Sequence, residues 1–405
     1  MSNVCMPIAR TLFAVVLFVS AAFAQVSVTV ETSKTQYLQG EPIIVLIAVE
    51  NIGSEAVPYS SGCDFDIKLL VEHEQTEPAF QQYGCFRGYG WGGGCSGVDH
   101  PPRLQSAESI TFKRLLNGYR LDPGNYILKA TGNAPLVGKV EGNHFSRKFE
   151  IQVLPGTEQE LKAAFAPFVK AARGKEPDHM SYKELTRFSE EKVLARRAIA
   201  ENAAPFLEDV IKSFWNDRGD EYLAIGGLAR INSDSSRAAL VEFFNHSSDP
   251  DIRRTIAHSL ANIGHPDQFE FFAGLLAETN PAPDARIQSS AIEGLGRIGG
   301  WRVVQVLEQF QTDNVELNSD VAYALGVTGS PDAVPALIEF NDLGGAHDSI
   351  CSSLATLTRR QWCDGTGADL RNAWRDWWQQ HQSDIEIQRP GNCNGAMDAK
   401  SIKFQ

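Results

Sequence analysis

The sequence predicts a multidomain chain: an all-β sandwich followed by an all-α solenoid, behind a short apolar leader. Three observations predict it. Apolar and polar residues alternate along the first third of the chain. After residue 157 the apolar spacing changes to three and four, the period of a helix. From residue 226 onward one short pattern, centred on a leucine, returns about every thirty residues.

The leader comes first. Arg10 supplies a positive start, Thr11 to Phe23 is almost wholly apolar, and Ala22-Phe23-Ala24 is a small-x-small cleavage site. Residues 1–24 therefore read as a secretory signal peptide, and the chain as exported, periplasmic or extracellular. The run is shorter than the roughly 20 residues a spanning helix needs, so no stable membrane insertion is expected. Cys5 precedes the apolar run and does not sit where a lipoprotein is acylated.

The β part is expected over residues 25–154. Val26, Val28 and Val30 alternate with Ser27, Thr29 and Glu31; Phe65, Ile67, Leu69 and Val71 alternate with Asp64, Asp66 and Lys68; Phe149, Ile151 and Val153 do so with Glu150 and Gln152. A period of two is a half-buried strand. Pro42 to Glu50 reads as a more fully buried strand. Turn signals at Gln39-Gly40, Asn51 to Gly53 and Asp122-Pro123-Gly124 separate the runs, which suggests a sandwich. The stretches KTQYLQGEPIIVLIAVENIGSEAV and GYRLDPGNYILKATG resemble the immunoglobulin-like domains at the front of many exported bacterial proteins. That resemblance implies a fold and no particular ligand.

Leu154-Pro155-Gly156-Thr157 breaks the alternation, and Thr157 with Glu160 has the form of a helix capping box. Leu161, Phe165, Phe168 and Val169 then recur at helical spacing. The segments GGLARI, HSLANIG, EGLGRIG, YALGVTG and SSLATLT align on Leu228, Leu260, Leu295, Leu325 and Leu354, separated by 32, 35, 30 and 29 residues. A small residue or isoleucine lies three before each leucine, and a second apolar helix follows after a turn. Such a unit cannot bury its apolar face alone, so the units stack, and residues 155–380 read as a solenoid with a tail at 381–405. YALGVTGSPDAVPALIEF resembles the short HEAT-like repeats of phycobilisome lyases and of many bacterial proteins of unknown role, over roughly residues 200–380. The ending LTRRQWCDG…WRDWWQQH resembles the tail that closes many exported chains of this type. A binding role, and not lyase activity, is what the resemblance implies for an exported chain.

Charge narrows the functions. The chain carries a net charge of -13. Residues 25–154 hold 14 acids and 11 bases, and residues 155–405 hold 36 acids and 25 bases. An acidic surface repels phosphate backbones, so nucleic-acid binding is not expected. Six cysteines survive cleavage: Cys63, Cys85, Cys95, Cys351, Cys363 and Cys393. In an exported chain they are candidates for disulfides, with fifteen possible pairings.

Motifs for chemistry are few. Gly88, Gly90 and Gly93 satisfy G-x-G-x-x-G, but a dinucleotide site needs a strand before and a helix after, and Cys95 to Pro102 cannot start a helix. No cofactor is expected. The run reads as a loop stapled by Cys85 with Cys95 or by a bond to Cys63. Its Tyr83, Arg87, Tyr89 and Trp91 form either a recognition surface for carbohydrate or cell envelope or a loop folded back on the domain. No C-x-x-C, H-E-x-x-H or EF-hand loop is present, so no metal is expected; His258 and His265 read as surface histidines. No nucleophile motif is found and no catalytic residue is assigned. Trp374, Trp377 and Trp378 form one helical stripe that caps the last repeat or stacks a sugar.

The repeats leave one further surface. Residues two before and two after each leucine share a helix face on the expected concave side: Gly226/Arg230, His258/Asn262, Glu293/Arg297, Tyr323/Val327 and Ser352/Thr356. Six before each leucine stand Tyr222, Arg254, Ser289, Ser319 and Asp348. Within this row Tyr222, Arg254, His258, Asn262, Glu293, Arg297 and Tyr323 are the candidate contacts for a protein or peptide partner. A merely solvated helix face would carry the same residue types.

Overall fold

A computed structural model describes residues 25–59, 68–73, 103–116, 121–133, 136, 144–174, 182–217, 219–278, 284–310, 312–340, 346–360 and 367–383. The expected leader, the loop residues Tyr83, Arg87, Tyr89 and Trp91, and Cys63, Cys85, Cys95, Cys363 and Cys393 lie outside these residues.

Among the described residues the N-terminal part holds nine strands: β1 (Val26–Thr32), β2 (Gln36–Leu38), β3 (Ile44–Asn51), β4 (Val57–Pro58), β5 (Lys68–His73), β6 (Arg103–Leu104), β7 (Ser109–Leu115), β8 (Gly124–Asn133) and β9 (His144–Leu154). One sheet has the order β1-β3-β7 and is antiparallel, with Val28 opposite Val49 and Ile47 opposite Phe112. The other has the order β2-β9-β8-β5, and only β2 runs parallel to its neighbour. β4 and β6 form a two-stranded ribbon. The alternation explains the interior. Val26, Val28, Val45, Ile47, Val49 and Phe112 of the first sheet share an apolar cluster with Phe145 of the second.

Turn chemistry fixes the entry to β3. Gly40 has φ +84°. The Glu41 carboxylate accepts a hydrogen bond from the Leu38 N–H at 3.0 Å and pairs with Lys34. Tyr37 is buried and its hydroxyl meets Ser33 Oγ at 3.1 Å.

Thirteen helices follow among the described residues. The capping box closes as its spacing implies: Glu160 N donates to Thr157 Oγ1 at 3.3 Å and Thr157 N to Glu160 Oε2 at 2.8 Å, at the start of α1 (Glu158–Ala172). Next come α2 (Tyr182–Asn202), α3 (Glu208–Phe214), α4 (Glu221–Ile231), α5 (Asp234–His246), α6 (Pro250–Ile263), α7 (Phe269–Ala277), α8 (Ala285–Ile298), α9 (Trp301–Gln309), α10 (Val315–Val327), α11 (Ala333–Glu339), α12 (His347–Thr358) and α13 (Gly367–His381). Helices α2, α4, α6, α8, α10 and α12 pack in sequence, each on the next, while α3, α5, α7, α9 and α11 each pack on the long helix that follows.

The leucine pattern is the inner seam of the long helices. Leu228, Leu260, Leu295, Leu325 and Leu354 are all buried. Small residues on either side let neighbouring helices approach. A Cβ on Gly294 would lie 2.5 Å from the Phe272 ring, and one on Gly326 would lie 2.5 Å from Ser353 Oγ. Each long helix from α4 onward ends near a residue of positive φ, in the order Asn232, Gly264, Gly299, Gly329 and Arg359. Asn232 takes the position at which the first aligned copy lacks its glycine.

Both ends of the array are covered. Ile44 and Leu115 of the first sheet cluster with Ala198 of α2, with Leu46, Phe168 and Leu194 packed around them. Lys113 reaches Glu191 at 3.3 Å. This second contact accounts for the uninterrupted apolar run of β3: Val45, Ile47 and Val49 face the other strands, while Ile44 and Leu46 face the helices. At the far end Trp374 is buried, and Trp377 and Trp378 pack against the core.

Candidate binding strip on the long-helix layer

Because every aligned leucine points into the seam, residues two positions to either side sit at its margin on the opposite flank. The structure brings the expected row together across successive helices: Gly226 and Arg230 on α4, His258 and Asn262 on α6, Glu293 and Arg297 on α8, Tyr323 and Val327 on α10, Ser352 and Thr356 on α12. None of these ten is fully buried. Tyr222, Arg254, Ser289, Ser319 and Asp348 extend the same flank, also partly or fully exposed.

The row extends one helix further than the repeat pattern indicates. Ile199 of α2 is buried between Ala198 and Ala200, 29 residues before Leu228, and Arg197 and Glu201 flank it as the row positions do. Arg230 donates to the Ala200 carbonyl at 3.3 Å, across the space left by the missing side chain of Gly226. Burial pushes the Glu201 carboxyl above its ordinary range, and the charges of Arg197 and Arg230 offset this only in part. A small-Ile-small triplet one repeat length upstream was the available signal.

The cations of the first half are committed within the chain. Arg297 pairs with Glu293 at 2.7 Å and donates to the Asn262 carbonyl at 3.2 Å. Arg254 binds Asp284 at 3.1 and 3.2 Å and also pairs with Asp251. The Asn262 amide donates to His258 Nε2 at 2.9 Å, and His258 Nδ1 lies 4.0 Å from Glu293. The hydrogen bond from Arg254 is the main reason the Asp284 carboxyl is held below its usual range.

The second half differs. Tyr323 is 63% exposed, more than any other large apolar side chain among the described residues. Asp320 accepts a hydrogen bond from Ser289 at 2.6 Å. Thr356 donates to the Ser352 carbonyl of its own helix at 2.8 Å.

The other expected features stand elsewhere. His265 caps a short turn and lies 2.8 Å from Asp267. Cys351 is buried on α12. Among the described residues no group of three or more His, Cys, Asp or Glu is placed to hold a metal, and no helix is long and apolar enough to cross a membrane.

Comparison with known proteins gives one family match: residues 216–282 fit the model for HEAT repeats. No curated protein matches the chain. Among solved structures, the phycocyanin lyase CpcE–CpcF complex from Nostoc is similar at 14% identity over 53% of this chain and 82% of that one, with a TM-score of 0.27. Human deoxyhypusine hydroxylase is similar at 14% identity over 56% of this chain and 97% of that one, with a TM-score of 0.25. Salmonella alpha-2-macroglobulin is similar at 13% identity, covering 90% of this chain and 26% of that one, with a TM-score of 0.17. The family match falls on α4 to α7, inside the stack of alternating long and short helices, and the helical region is a HEAT-like repeat array.

Proposed function

We propose that the chain is an exported, non-enzymatic interaction module that holds a protein or peptide on the long-helix strip. The observation that carries the reading is the continuity of the strip: six helices present one unbroken flank, with Tyr323 standing clear of it. Aromatic residues with a polar tip dominate the energetics of protein interfaces. HEAT repeats commonly mediate protein interaction, which supports the assignment for this array. In this reading the strip lines the concave side, and the N-terminal sheets form an immunoglobulin-like domain that positions it. The leader-like N-terminus supports export.

A photo-crosslinking residue placed at Asn262 or Tyr323 in the producing cell tests the reading. A discrete protein adduct is expected at both positions, with none at Glu242 on the short-helix side. Adducts absent from both strip positions would overturn it. Cell fractionation tests export separately.

A further inference from the structure

Charge is not spread evenly along the strip. Between Arg302 and Arg359 the sequence contains no lysine or arginine and eight acids. That span contains α10, α11 and α12. Upstream, three carboxylates of the array are matched to arginines: Glu293 to Arg297, Asp284 to Arg254, Asp267 to Arg237. Among the described residues neither Asp320 nor Asp348 has a cationic partner. Asp320 lies three residues before Tyr323 on α10. Asp348 lies four before Ser352 on α12, and the two helices are in close contact where Gly326 meets Ser353. The face therefore combines an exposed aromatic ring with two carboxylates that have no cationic partner among the described residues. A lysine or arginine fits both features, since a cation is attracted to the face of a tyrosine ring and to a carboxylate.

Resting on the reading above, we propose that the α10–α12 end of the strip docks a lysine- or arginine-rich segment of the partner, with a cationic group over the Tyr323 ring and beside Asp320 and Asp348. The upstream half of the strip, whose arginines are already paired, contributes shape and polar contacts instead of net charge.

The probe is a fluorescent ten-residue oligolysine titrated into the full chain at low salt, with oligoglutamate and a glycine–serine peptide as comparisons. Oligolysine alone is expected to bind, and more weakly as salt rises. Tyr323→Ala is expected to weaken binding about three- to fivefold, Tyr323→Phe to leave it unchanged. The Asp320→Asn/Asp348→Asn pair is expected to weaken it about tenfold, while Glu242→Gln/Glu278→Gln, which removes two exposed charges on the short-helix side, changes it less than about twofold. Equal losses in the two double variants would overturn the proposal, and so would oligolysine binding no better than the neutral peptide. Thermal melts of each variant show that the array is intact. If cellular crosslinks form at Tyr323 while oligolysine fails to bind, the basic partner is wrong and the binding strip stands. If oligolysine binds through Tyr323 and no crosslink forms, the reverse holds.

Discussion

At the scale of single residues, the spacing between neighbouring helices is set by what is missing beside each leucine. Gly294 faces the Phe272 ring and has no room for a methyl group, whereas nothing lies within 4 Å of a Cβ built on Gly274 of α7. The two positions make a matched pair. Gly294→Ala is expected to destabilise the array by about 1–3 kcal/mol through overpacking. Gly274→Ala is expected to leave stability unchanged or raise it by up to about 1 kcal/mol, because only helix propensity changes. Chemical denaturation of both variants checks this, and a similar loss in the two would rule out close packing as the reason for glycine at 294. The same scale explains what was hidden in the sequence. The spacing places Arg254 and Arg297 on the helix flank beside the leucines, but it could not reveal that each already has an acidic partner within the chain. Arg254 meets an acid 30 residues away, on the next unit, and no local pattern encodes that pairing.

At the scale of elements, charged side chains bridge one repeat to the next. Arg237, only 4% exposed, donates to Asp267 at 2.7 to 3.2 Å and to the Asn232 carbonyl at 2.7 Å, tying α5 to the turn before α7. Desolvation pushes the Asp267 carboxyl up, but hydrogen bonds from Arg237 and His265 outweigh it and the pKa is lowered. A carboxyl whose pKa is lower in the folded state contributes stability above its unfolded value, and that contribution is lost as pH falls through the folded value. Stability should therefore decline on acidification, and Asp267→Asn should be less stable at neutral pH but show a shallower acid limb. Melting curves across the acid range measure this; parallel curves for the variant and the parent would exclude the pair as a source of pH dependence. Helices α4, α6, α8, α10 and α12 were legible as elements because each repeats a leucine, small neighbours and a terminal turn. Helix α2 was not, because isoleucine replaces the leucine and Ala203, not glycine, takes the positive φ of 44° after it.

At the scale of the molecule, the sheets and the array share a boundary that period alone could not reveal. The run from Ile44 to Val49 looked merely buried; its two faces serve two different cores. The contact predicts that the halves unfold together. Ala198→Asp places a carboxylate against Ile44 and Leu115, and calorimetry should then resolve two transitions where the parent shows one. A single transition in the variant would mean the contact does not couple the halves.

The covered ends carry a consequence for how such a chain can lengthen. A repeat duplicated before α2 would meet the sheet already seated on Leu194 and Ala198, and one added after α12 would have to displace the Trp374 helix. New repeats can enter only between existing ones, where a long helix flanked by small residues accepts an identical neighbour on either side. Length variants of this architecture should therefore differ in the number of internal units, with the two ends unaltered.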